Sequence, residues 1–396
     1  MGHDNWRWAD EICDLFGSEH SSSMNEVYHY SIHRTLGRTL GVFEYVWNEP
    51  NNTEYPPEAE ILAAGRCNLW RLVAWGRRVL GLYGAEDTYG GTSNNNMFVL
   101  ESGYNILREG AGIIPVIKRK LRSMEDVWFD APIVEPKILM LRPTASQLCA
   151  WPWERTEAAS QVFHDLLYAN QYHYAFLPEE YLIEGRDGLS PYSVLLLPFA
   201  TNLPDELTDP ILQWVRSGGT LIMLGPAGIF TPYGEADSRL ISALLGDVHF
   251  ERSGDLAWRI TETVHPMTGS IVQSSYGEGH VVLAGDAADL KPGTVGAKKF
   301  VRRMEEAAPR WVWSEGSPVE LVTRVNNGIV HLTVINADTQ KSARSTLRIA
   351  RPARLAIDRG IERGFAVPMR RMNDSAAVDV FLQPGEGTII SLELNN

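Results

Sequence analysis

Cysteine is scarce in this sequence of 396 residues, which contains three: Cys13, Cys67 and Cys149. They are odd in number and far apart, so they match neither a disulfide framework nor the close spacing of a metal or redox site. No cluster of His and Cys has metal-ligand spacing either. Few cysteines are typical of a reducing compartment. We therefore expect a cytoplasmic protein with no metal and no other cofactor.

The sequence also lacks long apolar runs and an excess of positive charge. The longest apolar runs, residues 193–198 and 220–225, are far shorter than the ~18 residues of a membrane span. Residues 1–6 have neither the basic start nor the apolar stretch of a signal peptide. A net charge of −13 disfavours binding to nucleic acid or to an anionic membrane. We expect neither as a partner.

Aromatic residues, in contrast, are plentiful, with 12 Trp and 14 Tyr. Such residues fill hydrophobic cores, and they also form platforms on which the flat C–H faces of sugar rings stack. Composition leaves both interpretations open. The length predicts two or three domains of roughly 100–200 residues each.

Residues 1–130 predict the C-terminal part of a (β/α)8 catalytic barrel. Strands and helices alternate there, which is the rhythm of a (β/α) barrel. The predicted strands are 12–17, 40–47 and 79–84, and the predicted helices are 59–78 and 104–121. A closed barrel needs eight such units. We therefore expect this region to be a partial barrel.

Residues 136–310 predict a flavodoxin-like, doubly wound parallel sheet. Short continuous apolar strands, such as 137–141 and 193–198, alternate with amphipathic helices, such as 156–169 and 205–216. Continuous apolar strands indicate a parallel sheet covered on both faces.

Residues 311–396 predict a small antiparallel β-sandwich domain. Apolar and polar residues alternate along 319–325 and 329–335, and the sequence Asn326-Asn327-Gly328 between them is typical of a tight hairpin turn. The whole chain is thus predicted to be α/β, with a partial barrel, a doubly wound domain and a β domain in that order.

Glu44 is the first candidate for catalysis, because it lies in an otherwise apolar strand, residues 40–47. A carboxylate is expensive to bury there without partners. In a barrel, side chains at the C-terminal end of a strand point into the active site. The alternative is a salt-bridged carboxylate at a strand end, and the pattern alone favours neither interpretation.

The segment Trp47-Asn48-Glu49-Pro50 gives a second catalytic candidate, Glu49. An Asn-Glu pair after a barrel strand is how many retaining glycosidases present their acid/base. Glu49, however, is only five residues from Glu44, whereas paired catalytic carboxylates normally come from different strands. The alternative is a polar loop closed by Pro50.

Other polar residues follow the predicted strands and could bind sugar hydroxyls, or could be solvated loop residues. They are Tyr83, Glu86 and Asp87 after the strand 79–84, and Glu19 and His20 after the strand 12–17. Polar and aromatic residues on such loops suit hydroxyl recognition.

Four stretches resemble the β-galactosidases of glycoside hydrolase family 42, here GH42. Residues 40–47 resemble the strand that carries the family's nucleophile, and residues 68–83 resemble the helix and strand that follow. Residues 190–222 and 276–283 resemble the family's trimerisation domain. The resemblance implies that Glu44 is the nucleophile, that Trp47, Glu86 and Asp87 lie near the sugar, and that the chain forms a homo-oligomer, a trimer.

The sequence departs from this family in two ways. No part of it supplies the barrel strand that carries the family's acid/base, and residues 84–96 lack the family's aromatic-arginine pattern. The middle region also resembles class I glutamine amidotransferases. Those enzymes need a Cys at the turn after a central strand, and this turn reads Pro198-Phe199-Ala200.

We therefore expect the C-terminal part of a retaining, β-galactosidase-like glycoside hydrolase that acts on a small sugar or oligosaccharide. It should be inactive without the missing half of its barrel, which a complementing barrel chain or an upstream segment would supply. The alternatives are a non-catalytic sugar-binding or oligomerisation subunit and a truncated reading frame.

Overall fold

The computed structural model describes most of the chain. The described residues are 15–18, 23–37, 39–45, 58–77, 79–82, 100–101, 106–107, 119, 122–128, 130–149, 154–360, 364–372 and 374–395. They divide into two compact units, one of residues 136–310 and one that combines the preceding residues with residues 311–395. In the described residues, no helix has both the length and the apolar character needed to cross a membrane.

The N-terminal part of the second unit alternates strands and helices, as the sequence predicts. Its elements are β1 (Leu15–Ser18), α1 (Ser23–Leu36), β2 (Thr39–Tyr45), α2 (Glu58–Ala74), β3 (Val79–Leu82), β4 (Leu100–Glu101), β5 (Ile106–Leu107) and α3 (Glu125–Trp128). Strands β1, β2 and β3 form a parallel sheet with β2 in the centre. Helix α1 is not predicted by the sequence analysis.

The predicted helix over residues 104–121 is wrong at its N-terminal end. Ile106 and Leu107 form β5, which pairs antiparallel with β4. A short apolar run is compatible with a strand as well as a helix, and Ile favours the strand because it is β-branched. Residues 108–118 of that prediction lie outside the described residues.

The unit of residues 136–310 is built on a seven-stranded sheet. Seven of the strands in this unit form that sheet, and β10 and β11 form a separate hairpin. The strands are β6 (Ile138–Arg142), β7 (Ala175–Pro178), β8 (Val194–Pro198), β9 (Thr220–Leu224), β10 (His249–Gly254), β11 (Ala257–Glu262), β12 (Met267–Thr268), β13 (Ile271–Tyr276) and β14 (Gly279–Ala284). Its helices are α4 (Thr144–Cys149), α5 (Glu154–Ala169), α6 (Glu179–Ile183), α7 (Asp205–Arg216), α8 (Arg239–Leu245) and α9 (Val295–Ala307), with a 3-10 turn at Ala287–Leu290.

The strand order of this sheet is β12-β13-β14-β9-β8-β6-β7. Five strands of the sheet are parallel, and from one edge they stand in the order β7, β6, β8, β9, β14. When these five are numbered along the chain, the order is 2-1-3-4-5, which is the order of flavodoxin-like sheets. Nearly every residue of these strands is buried, which is typical of a parallel sheet with helices on both faces. Strands β12 and β13 extend the sheet at one edge and run antiparallel.

Strands β10 and β11 form a separate two-stranded hairpin that the sequence analysis does not predict. Most of its residues are exposed on both faces. A strand without a buried face has no reason to alternate apolar and polar residues, so the pattern that identifies strands is absent.

Residues 311–395 form two antiparallel sheets. The strands are β15 (Val312–Gly316), β16 (Glu320–Asn326), β17 (Ile329–Ile335), β18 (Ala343–Ile349), β19 (Ala353–Asp358), β20 (Phe365–Ala366), β21 (Met369–Met372), β22 (Ser375–Leu382) and β23 (Gly387–Leu394). The sheet orders are β15-β18-β22-β21 and β16-β17-β23-β19-β20. Asn327 and Gly328 have φ values of 49° and 76°, as the predicted tight turn between β16 and β17 requires.

Helix α2 packs against the second of these sheets. Trp70 and Cys67 of α2 share a buried core with Val322, Ile335 and Ile389. This common core explains why the N-terminal segment and residues 311–395 form one compact unit.

Polar contacts reinforce the packing of α2. Arg71 Nε donates to both carboxylate oxygens of Glu320 at 2.8 and 2.9 Å. The buried Arg324 donates through Nη2 to the carbonyl of Ala74 at 2.8 Å and through Nη1 to that of Ala131 at 2.6 Å. Ala74 is the last residue of α2, so Arg324 satisfies a carbonyl that has no partner within the helix.

Candidate functional site

The carboxyl ends of β1, β2 and β3 meet at one edge of their sheet, because the three strands are parallel. Ser18, the last residue of β1, lies opposite Val42, so β2 continues for three residues beyond it. Tyr45, the last residue of β2, lies opposite Leu82, the last residue of β3. In barrel enzymes this edge holds the active site.

The register between β2 and β3 is irregular at this edge. Val42 lies opposite Leu80 and Tyr45 opposite Leu82, so Phe43 and Glu44 together oppose the single residue at position 81. Two residues against one is the count of a β-bulge. Bulges are frequent at the rims of barrels and beside active sites, where they redirect a side chain. Glu44 is thus one of the two residues of β2 at this irregularity.

The structure describes the backbone position of Glu44 in β2, while its side chain lies outside the described part. The other candidates belong to the segments that follow β1, β2 and β3 in sequence. All of them lie outside the described residues: Glu19, His20, Trp47, Glu49, Tyr83, Glu86 and Asp87. The roles given to these residues remain predictions.

A buried ionic cluster next to this sheet was missed by the sequence analysis. The Arg77 guanidinium, just before β3, donates to the two carboxylate oxygens of Glu26 in α1 at 2.8 and 3.1 Å. Its Nη2 also lies 2.9 Å from Nδ1 of His29, one turn further along α1. All three side chains are buried. The cluster ties α1 to the start of β3.

The protonation states of this cluster follow from its geometry. Arginine can only donate, so Nδ1 of His29 accepts and the imidazole proton is assigned to Nε2. Burial raises the pKa of Glu26, and the charge of Arg77 opposes that rise. An acidic residue among the buried positions of α1 is the sequence feature that could have revealed the cluster. Residues 23–36 had been assigned no element, so their buried face was not recognised.

Solved structures of glycoside hydrolases are similar to this fold. A catalytic mutant of Gan42B, a GH42 β-galactosidase from G. stearothermophilus, matches with a TM-score of 0.69 and 11% identity, over 98% of this chain and 61% of that chain. The β-galactosidase from Bacillus circulans sp. alkalophilus matches with a TM-score of 0.64 and 14% identity, over 98% and 61%. In fold, this chain is similar to GH42 β-galactosidases.

The resemblance predicted from the sequence is therefore confirmed at the level of fold. Alpha-L-fucosidase isoenzyme 2 from Paenibacillus thiaminolyticus is also similar, with a TM-score of 0.59 and 10% identity over 94% of this chain and 62% of that chain. No family model matches the sequence, and no curated protein matches it. The chain spans about three fifths of the length of the solved structures named here.

Within the GH42-like fold, the carboxyl edge of the sheet in residues 136–310 is a second place where a ligand could bind. Doubly wound sheets bind ligands at the point where the strand order reverses, which here lies between β6 and β8. In this structure, the turns after these two strands are hydrogen-bonded to each other. Ser146 Oγ donates to the carbonyl of Asn202 and accepts from its N–H, both at 2.9 Å.

The turn after β8 is the place where an amidotransferase would carry its Cys. Phe199 occupies it, with a φ of 49° that non-glycine residues rarely adopt. Phe199 is buried beside Gly225, and the Trp258 ring lies on the same glycine. A Cβ on Gly225 would lie 3.2 Å from the Phe199 ring and 3.3 Å from the Trp258 ring. Aromatic side chains therefore fill the space next to this turn, and none of them is a nucleophile.

Glu179, directly after β7, is an acidic residue at this edge whose pKa is strongly raised. Its Oε1 accepts a hydrogen bond of 2.6 Å from the N–H of Ala145 in α4, whereas its Oε2 is buried and has no hydrogen-bond partner among the described residues. Burial raises the pKa of Glu179 to about 8, and the neighbouring carboxylate of Glu180 adds to the rise. Glu179 is therefore predominantly protonated at neutral pH.

This raised pKa makes stability depend on pH. Between the usual value of 4.5 and about 8, the folded protein keeps a proton on Glu179 that the unfolded chain has lost. The contribution of Glu179 to the free energy of unfolding is thus fully present below pH 4.5. It falls by up to about 5 kcal/mol as the pH rises to 8.

Urea unfolding at pH 5 and pH 8.5 measures this loss. We expect Glu179→Gln, which cannot ionise, to reduce the difference between the two pH values. The control Glu278→Gln, an exposed position in the same unit, should leave the difference unchanged. An unchanged difference in Glu179→Gln would show that Glu179 does not titrate in this range.

In the described part of this GH42-like fold, no group of three or more His, Cys, Asp or Glu residues is arranged to hold a metal ion.

Proposed function

We propose that this chain is the C-terminal part of a retaining glycoside hydrolase of the β-galactosidase type. Glu44 is its nucleophile, and the substrate is a β-glycoside of a small sugar or oligosaccharide. Trp47, Tyr83, Glu86, Asp87, Glu19 and His20 surround the sugar. The place of Glu44 carries the proposal: it lies at the register irregularity near the carboxyl end of the central strand β2, in a chain whose fold is similar to GH42 β-galactosidases over 98% of its length.

The reaction needs a second carboxyl group. In a retaining enzyme the nucleophile attacks the anomeric carbon while an acid, about 5–5.5 Å away, protonates the leaving oxygen. Water then releases the sugar, with the second group acting as base. Glu49 belongs to the same connection as Glu44, so we propose that the acid/base comes from barrel strands outside this chain, in an upstream segment or a complementing chain.

The remaining parts of the proposal concern assembly and location. The flavodoxin-like strand order of residues 136–310 supports the assignment of this unit as the trimerisation domain, and we propose a homotrimer. The small number of cysteines supports a cytoplasmic location.

A second function is a non-catalytic sugar-binding or oligomerisation subunit. It rests on the fold match, which covers 98% of this chain and so includes both compact units. A subunit of this kind would need the two compact units but no second carboxyl group.

Activity separates the two functions. We expect the purified chain alone to hydrolyse neither aryl β-galactosides nor aryl β-glucosides, because one nucleophile without an acid/base does not complete the double displacement. Co-expression with the reading frame encoded upstream should produce activity. Turnover by the chain alone that disappears in Glu49→Gln would show that the Trp47–Pro50 segment is the catalytic element. No activity in any combination would favour the non-catalytic subunit.

A further inference from the structure

The outer face of the sheet β15-β18-β22-β21 carries a groove of about 510 Å³. This volume lies within the range of small-molecule sites, roughly 300–1,000 Å³. The groove crosses three strands and is lined by Glu315, Gly316, Arg344, Ser345, Thr346, Asp379, Val380 and Phe381. It lies within residues 311–395, far along the chain from the segment that contains Glu44.

One side of the groove is aromatic and cationic. Arg344 and Phe381 are direct cross-strand partners, and the guanidinium lies 5.4 Å from the centre of the Phe381 ring. Phe381 is 51% exposed, which is unusual for so large an apolar side chain in a sheet. In residues 311–360, 364–372 and 374–395, no hydrogen bond or ion pair engages the Arg344 guanidinium, so its donors point to solvent.

The other side of the groove carries two carboxylates, those of Asp379 and Glu315. Asp379 Oδ1 accepts from Thr346 Oγ1 at 2.6 Å and from Arg370 Nη2 at 2.7 Å, which leaves Oδ2 for a ligand. Glu315 Oε2 accepts from Arg348 Nε at 2.9 Å. These bonds hold both carboxylates at the groove, and both side chains remain more than half exposed and accessible to a ligand.

The spacing of the two sides suits a sugar ring. The Arg344–Phe381 pair and the Thr346–Asp379 pair are two residues apart along their strands, a separation of about 7 Å. Gly316 ends β15 with a φ of 107°, and a Cβ there would lie 2.7 Å from the carbonyl of Arg344. No side chain can therefore project at this end of the groove.

From this juxtaposition we propose that the groove binds a neutral saccharide chain. A sugar presents an apolar C–H face to the Phe381 ring and hydroxyls that both donate, to Asp379, and accept, from Arg344. The charges of Glu315 and Asp379 are already balanced by Arg348 and Arg370. Arg344 leaves the groove with one positive charge that is unpaired among the described residues, while the net charge of −13 of the whole chain repels a polyanion at long range, which favours a neutral saccharide over an acidic polysaccharide.

Electrophoresis of the full chain through gels that contain a soluble polysaccharide tests this proposal. We expect β-1,4-galactan or hydroxyethylcellulose to retard the protein and polygalacturonate to leave its mobility unchanged. Phe381→Ala and Arg344→Met should each weaken binding to the retarding polysaccharide at least tenfold. Both side chains are exposed, so neither change should prevent folding, and the melting temperature checks this.

Phe365→Ala is the matched control, because Phe365 is 56% exposed in the other sheet of the same unit and lies outside the groove. It should bind like the unmodified chain. No retardation by either neutral polysaccharide, retardation by polygalacturonate alone, or full binding by Phe381→Ala would each overturn the proposal. The proposal is independent of the catalytic role of Glu44: Glu44→Ala should abolish turnover of the completed enzyme and leave this retardation intact.

Discussion

Replacing Glu44 by alanine in the completed enzyme should lower the turnover of an aryl β-galactoside by several orders of magnitude. A nucleophile is lost more completely than a binding residue, because no covalent glycosyl intermediate can form without it. The completed enzyme is this chain co-expressed with, or fused to, the frame encoded upstream. Rates with and without Glu44, at equal protein concentration, give the size of the effect.

Chemical rescue distinguishes a lost nucleophile from a misfolded site. Azide can enter the space left by the carboxylate and attack the anomeric carbon directly, which gives a glycosyl azide of inverted configuration. We expect this product from Glu44→Ala and not from Glu86→Ala, which should mainly raise KM. Near-normal turnover without Glu44, together with inactivity of Glu49→Gln, would assign catalysis to the loop after β2 instead.

Replacing Arg77 by methionine should destabilise the N-terminal part of the chain by about 3–5 kcal/mol, because it leaves Glu26 buried without its ionic partner. Hydrogen exchange of α1 and α2 measures this loss separately from that of residues 136–310, where protection should not change. The double variant Glu26→Leu, Arg77→Met should recover most of the stability, because it removes both buried charges.

Arg302→Met is the control for this prediction. Arg302 also pairs with a glutamate, Glu306, at 3.0 Å, but its side chain is 82% exposed. Exposed pairs contribute roughly 0–1 kcal/mol, because solvent screens them and ordering two long side chains costs entropy. Equal losses in Arg77→Met and Arg302→Met would show that burial of the Glu26 cluster contributes nothing.

Local sequence patterns predicted a large part of the fold. The hairpin of β16 and β17 could be predicted because its turn depends on two adjacent residues, Asn327 and Gly328, which both adopt positive φ. The strands β6, β8 and β9 could be predicted because a strand buried on both faces is apolar throughout.

Features that depend on distant parts of the chain could not be predicted. The partners of α2 are Val322 and Ile389, more than 200 residues away, and no pattern within α2 identifies them. The pKa of Glu179 is raised by burial beneath α4, which its neighbours in sequence do not reveal. For the candidate site, the sequence identified Glu44 as an acid in an apolar strand, whereas its place in a register irregularity depends on pairing with β3.

The shared core of α2 and the C-terminal sheet also constrains when this part of the chain can fold during synthesis. Residues 136–310 are contiguous, so this unit can fold once its last helix has left the ribosome. The core of helix α2 can be completed only after residues 311–395 have been made, because Trp70 packs with Ile389. We therefore expect residues 136–310 to fold before the unit that contains α2, in contrast to the usual N-terminal-first order.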